Sequence, residues 1–141
     1  MSDATLIKPQ GDHRNLICYR KAELIYDITC HFAYSAFERG NRTIDQMVQA
    51  ARSGKQNIIE GNADIETSIE MGIKLINVAK ASFQELLIDY EDYLRVNNLE
   101  QWDFNSEKAI KTRRVCASHN DSAYYREAIK SRTPETIAKL Q

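Results

Sequence analysis

The sequence predicts an all-α fold: a four-helix bundle followed by a short helical C-terminal extension. From about Asn15 onward apolar residues recur at three- and four-residue steps, the period of a helix that buries one face. Only two prolines occur, Pro9 and Pro134, one near each end, so the long middle carries no helix breaker. With 141 residues and a hydrophobic fraction of 43%, the chain can bury one core but would be cramped as two domains. The expected division is an N-terminal arm at 1–11, a bundle at 12–118 and a helical extension at 119–141.

The first helix aligns Ile17, Leu24, Ile25, Ile28, Phe32 and Ala36 on one apolar face, with Asp12 or Asn15 as its cap. Residues 39–43 read as a stop and restart. There Gly40 can take the left-handed conformation that ends a helix, and Thr43 with Gln46 forms a capping box. The second helix turns Ile44, Met47, Val48, Ala51, Ile58 and Ile59 inward and Gln46, Gln49, Arg52 and Gln56 outward. Gly61 is its expected terminator.

The third helix begins near Asp64 or Thr67, with Thr67 and Glu70 as a second capping box, and a span of 65–96 would be about 48 Å long. Ile69, Ile73, Ile76, Phe83, Leu87, Tyr90 and Leu94 follow heptad spacing, interrupted by Lys80. A second row of Leu75, Val78, Ala79, Leu86 and Tyr93 widens the apolar face. Glu70, Lys74, Asn77, Gln84, Glu91 and Arg95 trace the wet side, on which Ile88 stands as the odd apolar residue. Gly54 and Gly72 lie equally far from Ala63, so a hairpin turning there would set them at one level and let the two backbones approach.

Beyond Asn97 and Asn98 the signal fades, and Leu99, Trp102 and Phe104 are expected as apolar anchors of a loop. A fourth, weaker helix at 106–117 turns Ala109, Ile110 and Cys116 inward and Lys108, Lys111, Arg113 and Arg114 outward. Asn120 or Asp121 caps the next helix, which carries Tyr124, Tyr125, Ala128 and Ile129. Thr133 and Pro134 then supply the cap and first residue of a last turn.

Residues 1–10 carry no basic segment leading into an apolar run with a small-residue cleavage site, and no stretch reaches the roughly 18 apolar residues of a membrane span. Cys18, Cys30 and Cys116 are odd in number and widely spaced, which fits reduced thiols and a cytoplasmic location. Catalytic, cofactor and metal sites are all expected to be absent. Cys30 and His31 diverge on a helix, and Cys116 with His119 offers only two metal ligands. No nucleophile elbow or glycine-rich phosphate loop occurs.

The formal net charge of −1 hides an asymmetry. Residues 1–59 sum to plus two, 60–103 to minus seven and 104–141 to plus four. Opposite fields in neighbouring segments are most simply satisfied by packing against each other, within one chain or between copies. Two basic groupings are candidate nucleic-acid or partner contacts: Arg42, Arg52 and Lys55 on the second helix, and Lys111, Arg113 and Arg114 with Lys108, Arg126, Lys130 and Arg132 near the end.

The segments at 46–53 (QMVQAARS), 57–61 (NIIEG) and 78–86 (VAKASFQEL) resemble the four-helix bundle family named for proteins encoded in intervening sequences of bacterial 23S ribosomal RNA genes. The likeness spans about Ile17 to Trp102, and NIIEG is its most specific element. Residues 89–95 (DYEDYLR), with Leu99 and Trp102, further resemble the subgroup with a C-terminal suffix region. The resemblance implies an up-down-up-down bundle assembling as a homopentamer without enzymatic activity. More distantly it implies likeness to the accessory variability determinants of diversity-generating retroelements, strongly basic proteins that bind nucleic acid and a reverse transcriptase. Asn57 and Glu60 would then add a subunit contact to their expected place at a helix end, and Ile88 is a third candidate subunit contact. The leading expectation is a non-enzymatic oligomeric module presenting a composite surface to a protein or RNA partner; the alternative is a nucleic-acid-binding accessory protein.

Overall fold

A cap, a turn and a close glycine contact decide where each helix of the long hairpin stops. The computed structural model describes residues 16–140, and within them the chain is all-helical, with no strand. The helices are α1 (Ile17–Ala36), α2 (Arg42–Asp64), α3 (Ile69–Val96), α4 (Glu107–Ser118), α5 (Ser122–Ile129) and α6 (Pro134–Leu140). The proposed caps Asp12 and Asn15 and the arm at 1–11 lie outside the described residues.

Between α1 and α2 the Asn41 backbone N–H donates to the Glu38 carbonyl at 3.0 Å, closing a turn in which Gly40 has φ +91°. That is the left-handed region where glycine alone is unstrained. The Asn41 side chain, not Thr43, caps α2, accepting from the Thr43 backbone N–H at 2.8 Å. Ser68, not Thr67, caps α3 through a bond from the Met71 N–H at 3.2 Å. At the far end of α3, Asn98 takes φ 57° and the Leu99 N–H reaches back to the Leu94 carbonyl at 2.8 Å, a left-handed C-terminal closure. Thr133 and Pro134 start α6 as the sequence predicts, with the Thr136 N–H bonded to Thr133 Oγ1.

Gly61 does not terminate α2. It is buried one turn before the helix ends, and a Cβ there would stand 3.0 Å from the Gly72 carbonyl oxygen. The glycine pairing is therefore Gly61 with Gly72, while Gly54 faces the Phe83 ring, its missing Cβ only 2.5 Å from the ring tip. Asp64 continues the helix instead of opening a turn, so the hairpin bends between Ile65 and Ser68, a full turn later than a pivot at Ala63. The spine starts correspondingly later, at Ile69, and its 28 residues span about 42 Å.

Helix α2 packs along both α1 and α3, and the short C-terminal helices α5 and α6 close over α1, with α6 also reaching α3. One core joins Leu24, Ile28, Phe32, Met47, Leu86, Tyr90 and Leu94 to Tyr125, Ile129, Ile137 and Ala138 from the extension. At about 1.5–3 kcal/mol for each large buried apolar side chain, this cluster supplies most of the driving force. A smaller cluster of Tyr19, Ala22, Ile58 and Ala79 continues it toward the hairpin turn, with no residue from the extension. Helix α4 buries no residue fully; Ile110 and Cys116 are half-buried, as is Ala109.

Candidate interaction surface

The extension covers only one end of the furrow between α1 and α3, and this controls what the rest of the surface exposes. Near Phe32, Tyr90 and Leu94 the furrow is filled by α5 and α6. Toward the hairpin turn it stays open as a groove walled by Cys18, Ile58, Ile76, Ala79, Phe83 and Leu87. Lys80, the polar interruption of the heptad row, also stands on it and is exposed. The seam predicted as core therefore divides. Tyr90 and Leu94 are fully buried, whereas Ile69 (66%), Ile73 (52%), Ile76 (37%) and Leu87 (43%) are exposed. Ile17, placed inside by its spacing, is 63% exposed, and Val78 is exposed as well. Period alone assigned these residues to a buried face; the cluster built by the extension does not include Ile76 or Leu87, which line the open groove.

A second groove runs on the other side of α3, against α2. It is lined by Asp45, Gln49, Ala50, Glu85, Ile88 and Asp89, with Ser53 and Ser82 also on it, so that largely apolar surface carries three carboxylates. The hydroxyls of Ser53 and Ser82 share a hydrogen bond of 3.0 Å, and the Asn57 amide donates to the Ser53 carbonyl at 2.8 Å. Asn57 thus sits in mid-helix, its amide bonded within α2 to the serine that reaches across to α3, and not at a helix end. Glu60 is likewise inside α2, exposed. Ile88 is 54% exposed on the groove wall. Asp89 is partly withdrawn from water, and desolvation, then the neighbouring charges of Asp92 and Glu85, pushes its carboxyl above the usual range. Asp92 is better placed, with Arg95 at 3.3 Å on the exposed side.

The predicted basic groupings fare differently. Arg42 and Arg52 are exposed but ten residues apart, about 15 Å along α2. Lys55 turns toward α1, where its ammonium lies 4.5 Å from the Tyr26 ring centre. These three form no single patch. On α4, Lys111 and Arg114 stand three residues apart on the outward face, both exposed. Arg113 is held in place: its guanidinium lies 4.0 Å from the Phe104 ring centre and donates to the Phe104 carbonyl at 2.7 Å. Lys108 approaches Trp102 in the same manner at 5.7 Å. Phe104, expected as an anchor, is 70% exposed, so the loop before α4 carries an aromatic knob backed by cations. Sequence reasoning missed this unit, although the nine-residue separation of Phe104 and Arg113 across a helix start was its trace.

Among the described residues no group of three or more histidine, cysteine, aspartate or glutamate side chains could hold a metal ion. Cys30 is half-buried beside Tyr26, and burial pushes its thiol up, away from the reactive thiolate. Its neighbour His31 is half-buried too. Cys116 lies beneath Tyr125, whose hydroxyl donates to the His119 carbonyl at 2.8 Å, while the His119 ring stacks on Tyr124 at 4.1 Å. These groups make structural contacts with their neighbours. No helix of the described residues is long and apolar enough to cross a membrane. No family model, curated protein or solved structure matches the chain.

Proposed function

We propose that this protein is a non-enzymatic assembly module, a helical bundle that self-associates and presents a composite surface to a protein or RNA partner. The observation that supports it is the open apolar flank of α3. Ile69, Ile73, Ile76 and Leu87 are exposed on a helix whose other end builds the core, and Ile17 of α1 is exposed as well. Isolated apolar residues are ordinary on a surface, but Ile76 and Leu87 flank one open apolar groove, and an apolar patch of that kind is the mark of an interface. In this reading the fourth position of an up-down-up-down bundle is shared. Helices α5 and α6 occupy it at one end, and a neighbouring copy covers the rest. A homopentamer, as the resemblance to the 23S ribosomal RNA intervening-sequence family suggests, and a cytoplasmic location in a bacterium belong to the same proposal. Asn57 and Glu60 are its candidate contacts on α2, and Ile88 on α3.

Sedimentation or native mass measurement at micromolar concentration tests this directly. A defined oligomer is expected; a strictly monomeric chain would remove the physical basis of the reading.

The second reading, a nucleic-acid-binding accessory protein, is favoured by one feature: Lys108, Lys111, Arg113 and Arg114 on α4 beside Trp102 and Phe104. Cations interleaved with aromatic rings suit single-stranded RNA, which is bound through phosphates and base stacking. With Z phosphate contacts, the log–log salt dependence should have a slope near −0.7Z, and binding insensitive to salt would count against it.

A further inference from the structure

We infer that the acidic groove between α2 and α3 is a docking site for the Phe104–Arg113 corner of a second copy of this chain. This rests on the self-association proposed above and adds a direction to it, because the two patches are different surfaces of one molecule. The groove offers apolar surface from Ala50 and the exposed Ile88 among three carboxylates, Asp45, Glu85 and Asp89. The corner offers the complementary pair of features: an aromatic ring 70% exposed, with a guanidinium 4.0 Å from its centre.

Two physical points favour this occupant. Arg113 is already fixed by its bond to the Phe104 carbonyl, so docking need not freeze a long flexible side chain. The carboxyl of Asp89 is crowded by Asp92 and Glu85 and partly desolvated, and an arriving guanidinium relieves that repulsion. The charge sums agree at larger scale, since the groove wall on α3 lies in the segment of charge minus seven and the corner in the segment of charge plus four. A contact between unlike patches leaves one copy with a free corner and the other with a free groove. Such head-to-tail association closes into a ring or runs on as a filament, whereas a two-fold dimer would need each patch to meet itself.

Two broken forms test the assignment. One carries Glu85→Arg with Asp89→Arg and so loses the groove; the other carries Phe104→Ala with Arg113→Glu and loses the corner. Each alone should associate roughly tenfold or more weakly than the unaltered chain. Mixed in equal amounts they should form a one-to-one pair by native mass measurement, since each supplies the patch the other lacks. The exposed single replacements Ile88→Gln and Phe104→Ala carry the same expectation of weakened association, with circular dichroism confirming the helices. If the unaltered chain assembles and all four variants assemble as strongly, the docking assignment is wrong while self-association stands. A pair of broken forms that associates no better mixed than apart would also overturn it. A monomeric unaltered chain instead defeats the underlying reading. Assembly unchanged by these variants, together with capture of a basic peptide by the unaltered groove alone, would assign the groove to a foreign partner.

Discussion

Tyr90 shows how one side chain ties the first and third helices together. It is fully buried, its ring is 4.8 Å from that of Phe32, and its hydroxyl lies 2.9 Å from Thr29 Oγ1, itself buried. Each hydroxyl is the other's partner in an apolar surrounding, so removing one orphans the other. Tyr90→Phe or Thr29→Val alone should cost about 1–3 kcal/mol in denaturant unfolding, and the double replacement should cost less than the two together. Burial also pushes the Tyr90 phenol well above its ordinary value near 10. The folded chain therefore holds this proton more tightly than the unfolded chain does. Its contribution to stability is complete below pH 10 and is lost as pH rises beyond that toward the folded value. Tyr90→Phe should flatten this alkaline limb; an unchanged limb in the variant would assign it to other groups.

At the level of the element, the α2–α3 hairpin depends on Gly61 and Gly72. A Cβ on Gly72 would stand 2.4 Å from Ile65 Cγ1 and 2.8 Å from the Gly61 carbonyl oxygen, and the latter is backbone and cannot swing away. Alanine is the better helix former by about 1 kcal/mol, so propensity and packing pull in opposite directions. Packing should win, and Gly72→Ala should destabilise by about 1–3 kcal/mol as an overpacked site. A rise in denaturation midpoint would show the approach to be relaxed in solution. This hairpin also marks how far the sequence could be read. The apolar period revealed α1, α2 and α3, and the Thr133–Pro134 start of α6 was legible because a cap and a first-turn proline act locally. Gly61 was misread as a stop because a helix-ending glycine and a helix-crossing glycine are the same residue; only the opposite backbone distinguishes them. Likewise Asn41 and Ser68 lie one or two residues from equally plausible caps, and a side-chain bond to one N–H chooses between them. The two grooves were beyond sequence reading, because the open furrow depends on how far α5 and α6 extend over α1 and α3, and the acidic groove on how α2 and α3 lie side by side.

For the whole molecule, the question is what the uncovered half of the α1–α3 furrow does. Leu87 lines it, and Ile73 lies two heptads earlier on the same row of α3; they are 43% and 52% exposed in the single chain. Replacing both by glutamine removes apolar surface that is already half in water, so the unfolding free energy of the isolated chain should fall by no more than about 1 kcal/mol. If a neighbouring copy covers them, the same pair loses further burial in the assembly, at roughly 25 cal/mol for each Å² of apolar surface removed from water. Association should then weaken about ten- to several-hundred-fold, with little change in helix content. Because an oligomer stabilises the fold by mass action, the melting temperature of the unaltered chain should rise with protein concentration, and that dependence should disappear in the double variant. Sedimentation and melting across a concentration series measure both effects on one sample. The opposite pattern, with intact association but several kcal/mol lost from the isolated chain, would make Ile73 and Leu87 core residues. The extension would then have to shift over the furrow in solution to cover them.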